Sequence, residues 1–280
     1  MKIELINSNK SQILISGTNI NLKDTFNCGQ CFRWNEDKNG FVGISDGKII
    51  RAIQEQNGFI LENTNLEDVN SYWVNYFDLK TNYKSIAKNL PDDDYLQNAA
   101  AFGKGIHILK QNPLEILISF IISANNNISR IKKIIEKFCS MYGKEIKFEG
   151  KTYYTFPEKE DLKNVSLFDL QLLHAGYRDS YIMDAVEKIN NGLDFKKLNK
   201  LNSEDLRKSL LEIKGVGPKV CDCIMLFGFS RYECFPKDVW IKRVITDIYG
   251  ENFDEKAFGK YAGVVQQYLF HYARNNREEK

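Results

Sequence analysis

The stretch Leu114 to Ile122, LEILISFII, is apolar on nearly every face. A surface helix needs only one apolar stripe, so a helix of this composition must be covered on all sides by the rest of its chain. Asn112-Pro113, just ahead of it, is a start signal: asparagine as the cap, proline at the first helical position. Asn125-Asn126-Asn127, poor helix formers, suit a turn after it. The longest apolar run, Leu114 to Ala124, contains Glu115 and is far too short to cross a bilayer. The 280 residues are therefore expected to build a sizeable core around this segment, as one large domain or two modest ones.

The first third of the chain reads as β-rich. CFRW, FVGIS, KIIRAIQ and FILE are each of strand length, and Asn39-Gly40, Asp46-Gly47 and Asn57-Gly58 are hairpin-type turn pairs between them. From about Leu66 the large apolar residues of EDVNSYWVNYF take helical spacing, and beyond residue 105 almost everything reads as helix. One such helix, from about Ile128 to Met141, carries Arg130, Lys132, Lys133 and Lys137. The segment from Gly150 to Pro157 reads as irregular or extended, with helices resuming near Glu160. The expected organisation is an N-terminal β-rich domain over 1–105 and a helical domain over 106–280, without internal repeats.

Composition excludes little. A net charge of +2 is too small to argue for a nucleic-acid partner, and the aromatic content serves a core as well as base stacking. MKIELINSNK lacks the apolar stretch of a secretory signal, so a cytosolic protein is expected. Cysteines at 28, 31, 139, 221, 223 and 234 provide one C-x2-C pair with no second pair at zinc spacing, and no run of four that suits an iron–sulfur cluster. Neither metal nor redox cofactor is expected.

The most informative segment follows Leu210. It reads as a helix, a tight turn Lys214-Gly215-Val216-Gly217, a second helix from Pro218, a loop, and a further helix from Val239. Two glycines flanking one apolar residue let the backbone turn sharply and bring its N–H groups near a ligand. The second helix begins with free N–H groups and a positive dipole end, a natural phosphate site. This is a helix–hairpin–helix pattern over about 207–230, although the glycines alone would favour an ordinary helical corner. Lys219 lies in the first turn of the second helix, with Cys223 four residues on along the same face. Beside a positive dipole end and an apolar surface its ammonium form is expected to be disfavoured, which would free a nucleophilic amine; a solvated lysine is the plain alternative. Asp238, after Phe235-Pro236-Lys237, is a good N-cap for the helix that follows, and capping alone would explain it.

Taken together, the hairpin, a lysine two residues after its second glycine and an aspartate after a proline resemble the helix–hairpin–helix glycosylase superfamily. Within it the chain is most similar to the 8-oxoguanine DNA glycosylase/AP lyase family. CGQCFRW from Cys28, SFIISANNNISRI, HAGYRDSYI and QQYLF ending at Phe270 match in order along nearly the whole chain.

That resemblance implies an α+β fold, with a TATA-binding-protein-like antiparallel sheet domain and a helical body containing the hairpin. It implies that Lys219 attacks the sugar's anomeric carbon, expels the base and forms a Schiff base, and that Asp238 stabilises the positive charge. β-Elimination then nicks the strand, after the target base has left the duplex stack. Gly29 matches the glycine whose carbonyl accepts the N7 hydrogen found on 8-oxoguanine and absent from guanine. Cys223 and Phe270 match the residues that sandwich the flipped base, and Gln266 the one reading its pairing edge. Asn125, Arg130, Tyr177 and Arg178 match residues that fill the vacated space and read the opposing cytosine. Gly215 and Gly217 belong to the DNA-binding hairpin, whose carbonyls around Lys214 to Gly217 are implied to hold a structural monovalent cation.

Trp240 stands where eukaryotic members usually have histidine, and Ala273 where they have aspartate. The expected partner is duplex DNA containing 8-oxoguanine, met by a monomer at the nucleoid of a prokaryotic-type cell, with no membrane. Glycosylases for alkylated bases normally lack the lysine, and the endonuclease III branch usually carries four cysteines after the hairpin. A non-catalytic hairpin protein would need neither lysine nor aspartate.

Overall fold

The computed structural model describes residues 1–9 and 11–276. Asp46-Gly47 closes a two-residue loop with both residues left-handed (φ +49° and +70°), a geometry whose twist matches that of paired strands. It joins β4 (Gly40–Ser45) to β5 (Lys48–Glu55). At the other two turn signals the glycine is not in the loop. Instead Gly40 opens β4 after β3 (Trp34–Asp37), and Gly58 opens β6 (Gly58–Glu62). A Cβ on Gly58 would sit 2.0 Å from the Ile15 carbonyl oxygen, so close approach of another strand demands glycine there. That strand is β2 (Gln12–Ser16), which pairs antiparallel with β6 and with β1 (Lys2–Asn7). The sheet has six strands in the order β1-β2-β6-β5-β4-β3.

CFRW does not form a strand along its length: residues 32–33 bend, and pairing starts at Trp34 opposite Gly43. A Cβ on Gly43 would meet the Trp34 indole at 2.3 Å, so the buried ring lies flat across the neighbouring strand at a position only glycine leaves open.

Two compact units emerge, and the division falls inside β5. One comprises Met1–Cys31, Ala52–Lys110 and the segment from Ser230 on; the other comprises Phe32–Arg51 and Gln111–Phe229. In the first, an aromatic core forms around Phe77, whose ring lies 5.0 Å from Phe59 and 5.9 Å from Trp73. The EDVNSYWVNYF segment is helical as expected, but a π-helical turn, Val69–Trp73, interrupts it. Helices Leu22–Asn27, Tyr83–Lys88, Asp94–Phe102, Val239–Val244 and Ala262–Asn275 also belong to this unit.

In the second unit the apolar run forms the helix Pro113–Ser123, capped by Asn112, whose side chain accepts from the Leu114 N–H at 2.9 Å. Every residue from Leu114 to Ile122 is buried, Glu115 included. Burial raises the Glu115 carboxyl above the usual carboxylate range, and Arg33, with Nη1 3.8 Å away, pulls it back. The helix Ile128–Tyr142 buries Ile131, Ile134, Ile135, Phe138 and Cys139 along one face and exposes Arg130, Lys133 and Lys137, while the half-buried Lys132 donates to the Trp34 carbonyl. The segment after it is more ordered than its sequence suggests. Glu149-Gly150, both left-handed, joins β7 (Glu145–Phe148) to β8 (Lys151–Tyr154). Arg51, almost fully buried, bridges Glu149 of this hairpin and Asp37 of β3, at 2.5 and 2.8 Å. Among the described residues, no helix is long and apolar enough to cross a membrane.

Gly43→Ala should force the Trp34 ring out of place and destabilise the protein by about 1–3 kcal/mol. Urea unfolding should show a lower midpoint with an unchanged slope; an unaltered midpoint would mean that the indole does not depend on this contact.

Candidate active site

The hairpin sits between the helices Ser203–Leu211 and Pro218–Phe229. Arg207 of the first pairs with Asp222 of the second, and the Lys214 N–H donates to Asp184 at 2.9 Å. The two glycines do different work. Gly215 is left-handed (φ +82°), and a Cβ there would strike the Tyr181 ring at 2.5 Å. Gly217 needs no special backbone conformation and faces open space, with nothing within 4 Å of a Cβ. One glycine shapes the turn; the other leaves its outer surface bare beside the first N–H groups of the second helix, where an anion can approach.

Lys219 projects from that first turn, half-buried, with Nζ 5.5 Å from the centroid of the Phe120 ring. Phe120 is held from both sides: Phe227 stacks on it at 5.5 Å and Phe32 meets it edge-on at 5.6 Å. The apolar surface expected beside the lysine is thus an aromatic face, which attracts a cation. Cys223, one turn on, is buried.

Beyond the C-terminus of the Pro113–Ser123 helix, Asn125 is exposed and left-handed (φ +48°), a conformation asparagine tolerates better than most residues. The Arg178 guanidinium, only 3% exposed, holds this corner. It donates to the Ala124 carbonyl from Nε (2.8 Å) and Nη2 (2.6 Å), and to the carbonyls of Asn125 and Ala175 at 2.8 and 2.9 Å. Tyr177 is 54% exposed, its ring 4.5 Å from the same guanidinium. Arg130 is exposed and donates to the His174 carbonyl at 2.9 Å. The structure therefore gathers Asn125, Tyr177 and Arg178 at one corner. It presents Asn125 and Tyr177 outward and engages Arg178 with backbone.

In the other unit, Asp238 is the N-cap of the helix Val239–Val244 and accepts from the Ile241 N–H at 2.9 Å. Two residues earlier, the Pro236 carbonyl accepts from Gln266 Nε2 at 3.1 Å. Gln266 is 3% exposed, and its Oε1 takes a bond from Gln267. One turn along the same helix, Phe270 lies over Gly29: a Cβ on that left-handed glycine (φ +78°) would be 3.3 Å from the ring. Gln30, fully buried, anchors the turn behind it. Its Nε2 donates to the carbonyls of Thr25 (2.9 Å) and His107 (2.7 Å), and its Oε1 accepts from the Leu109 N–H. Burial drives the His107 imidazole down to about 4, so it stays neutral at pH 7. Trp240 carries the Arg243 guanidinium 5.2 Å from its ring, and Ala273 is half-buried.

Comparison with known proteins identifies the family. Residues 12–117 match the model for the 8-oxoguanine DNA glycosylase N-terminal domain, and residues 118–260 the model for HhH-GPD superfamily base excision DNA repair proteins. A probable N-glycosylase/DNA lyase of Methanothermobacter thermautotrophicus is 34% identical over 71% of this chain and 73% of its own. The N-glycosylase/DNA lyase of Saccharomyces cerevisiae is 31% identical over 83% and 69%. The chain belongs to the 8-oxoguanine DNA glycosylase family of the HhH-GPD superfamily. Its fold is that of a Clostridium acetobutylicum 8-oxoguanine glycosylase/lyase, solved with double-stranded DNA containing cytosine opposite 8-oxoG. The TM-score is 0.90 and the identity 38%, over 99% of each chain.

Three features of this glycosylase were not visible in its sequence. Phe120 is one apolar residue among many in a buried helix, with no signal that its face would meet the lysine. Gln30 stands inside CGQCFRW as an ordinary polar residue, and only the return of residues 107–109 reveals what it holds. Arg178 reads from sequence as an outward-facing contact, because its burial depends on the corner at Ala124.

Gly215→Ala should destabilise the glycosylase by more than about 1 kcal/mol, through backbone strain and the Tyr181 contact. Gly217→Ala should stay within about 0.5 kcal/mol of the parent. Equal losses in urea unfolding would contradict this division of roles.

Proposed function

We propose that this glycosylase excises 8-oxoguanine lying opposite cytosine in duplex DNA and then nicks the strand at the resulting abasic site. The observation that carries the reading is the end-to-end likeness, at 38% identity, to the Clostridium acetobutylicum enzyme described above. Lys219, in the first turn of the hairpin helix, is in keeping with it.

In this reading the target nucleotide leaves the stack and the Lys219 amine attacks C1′. The C1′–N9 bond breaks, and the base departs with the electron pair and gains a proton. Opening of the sugar ring leaves an imine between C1′ and the lysine nitrogen. Loss of a C2′ proton expels the 3′ phosphate, and water then releases the lysine. The Asp238 carboxylate, fixed by its capping bond, opposes the positive charge developing on the sugar.

The Gly29 carbonyl accepts the N7 hydrogen of the lesion, and Cys223 and Phe270 contribute apolar surface to the base. Gln266 reads the pairing edge, for which its Nε2 must exchange the Pro236 carbonyl for the base. Asn125 and Tyr177 enter the space the base has left, and Arg130 reads the opposing cytosine. Arg178 supports them from behind. Gly215, Gly217 and the helix start at Pro218 take a backbone phosphate. The Lys214 to Gly217 carbonyls would hold a monovalent cation, adding positive charge beside that phosphate; the chemistry itself proceeds without a metal or redox cofactor. The enzyme acts as a monomer at the nucleoid, in the cytoplasm of a prokaryotic-type cell.

Lys219→Gln should abolish excision and borohydride-trapped crosslinking while leaving affinity for lesion duplex largely intact, since the amide nitrogen is not nucleophilic. A persistent crosslink would assign the nucleophile elsewhere. Asp238→Asn should slow turnover by orders of magnitude yet hardly change stability, because asparagine caps a helix about as well as aspartate. Full activity in a destabilised Asn variant would reduce Asp238 to its capping role.

A further inference from the structure

The carbonyl of Gly29 can read a lesion only if it is held at a fixed distance and angle from the base, since hydrogen bonds weaken steeply with misalignment. Behind Gly29 the chain is locked by Gln30. Ahead of it Thr25, Phe26 and Cys28 are buried, and Asn27, the last residue of the helix Leu22–Asn27, faces solvent between them. Two side chains of the terminal helix reach this segment. His271 places Nε2 3.3 Å from Asp24 Oδ1, and Arg274 Nη1 donates to the Asn27 carbonyl at 3.0 Å. The Arg274 guanidinium also lies 6.0 Å from the centroid of the Phe270 ring. One side chain thus touches both the segment leading into Gly29 and the ring that covers it. Arg274 stands in the last turn of its helix, where fraying is greatest. A cation there also suits the C-terminal carbonyls of the Leu22–Asn27 helix.

We propose that Arg274 is a specificity-determining positioning residue: by tying the Asn27 carbonyl to the helix that carries Phe270, it sets the spacing between the Gly29 carbonyl and the Phe270 ring. Without it, carbonyl and ring shift independently and recognition of the oxidised base weakens. Strand nicking at a site that has no base is untouched. The inference rests on the assignment of Gly29 and Phe270 to base recognition.

The test compares the parent enzyme with Arg274→Ala and Arg274→Lys in single-turnover assays. One duplex carries 8-oxoguanine opposite cytosine and the other a preformed abasic site, with thermal unfolding measured for each protein. Loss of one hydrogen bond and its geometry should slow 8-oxoguanine excision by Arg274→Ala about tenfold. Nicking of the abasic duplex should be unchanged. Arg274→Lys, which keeps a charged donor, should recover most of the excision rate. Equal slowing on both duplexes, an unaffected excision rate, or a lysine variant no better than alanine would each overturn the proposal. A parent enzyme inactive on 8-oxoguanine but able to nick the abasic duplex would overturn the reading of Gly29 and this proposal with it. Parent activity with an unaffected Arg274→Ala variant overturns the proposal alone.

Discussion

The close packing of two helices, Pro113–Ser123 and Pro218–Phe229, is the constraint on which the chemistry of the second unit depends. They approach so nearly that a Cβ on Gly228 would lie 3.3 Å from Ile116 and from the Cα of Pro113. The Gln111 N–H donates to the Phe227 carbonyl at 3.1 Å and sets their relative height. Each fully buried leucine, isoleucine or phenylalanine in such a contact contributes about 1.5–3 kcal/mol. One end of the first helix leads to the Ala124 carbonyl that Arg178 grips, and its middle presents Phe120 to Lys219. A single packed pair thereby orients both the candidate nucleophile and the loop of Asn125. Because interiors are dense, neither can be displaced without disturbing the other.

The first unit reaches a comparable rigidity with polar groups. Asp78, only 1% exposed, accepts from the hydroxyls of Tyr83 and Tyr232, both at 2.8 Å, and pairs with Lys110 at 2.9 Å. A buried carboxylate is costly unless it is paired and hydrogen-bonded in this way. Through Tyr232 the cluster fixes the chain entering the loop of Asp238. Gln266 fixes the same loop near its far end, at Pro236. The Gly29 turn is anchored likewise by the buried amide of Gln30. Removing one member of such a network leaves others unsatisfied, so these groups specify position more than they add stability.

Much of this was legible beforehand where the signal is local. Asn112-Pro113 capped and opened its helix, Asp46-Gly47 took the hairpin conformation its residues favour, and Asp238 capped the helix Val239–Val244. The helix–hairpin–helix lies where its glycines indicated. Signals failed where partners come from far along the chain. β1 and β2 carry no hairpin pair and are recruited by β6, which begins some forty residues after β2 ends. The Glu149-Gly150 hairpin is fastened by Arg51 and packed through Ile146, Phe148 and Tyr153 on Val42, Ile44 and Ile49.

The sequence by itself determined the α+β class, the family, and the residue types available for the chemistry: a lysine after a hairpin, an aspartate at a helix start, a glycine before a strand. These are properties of short segments, and backbone preference and residue order carry them. Only the tertiary structure decided which groups face outward and which are engaged. It turned Tyr177 to solvent, buried Arg178 on carbonyls, held Gln266 on Pro236, and set Phe120 beneath Lys219 and Phe270 over Gly29. Orientation is decided by packing between residues distant in sequence, and no local preference specifies which distant carbonyl or ring a side chain will meet.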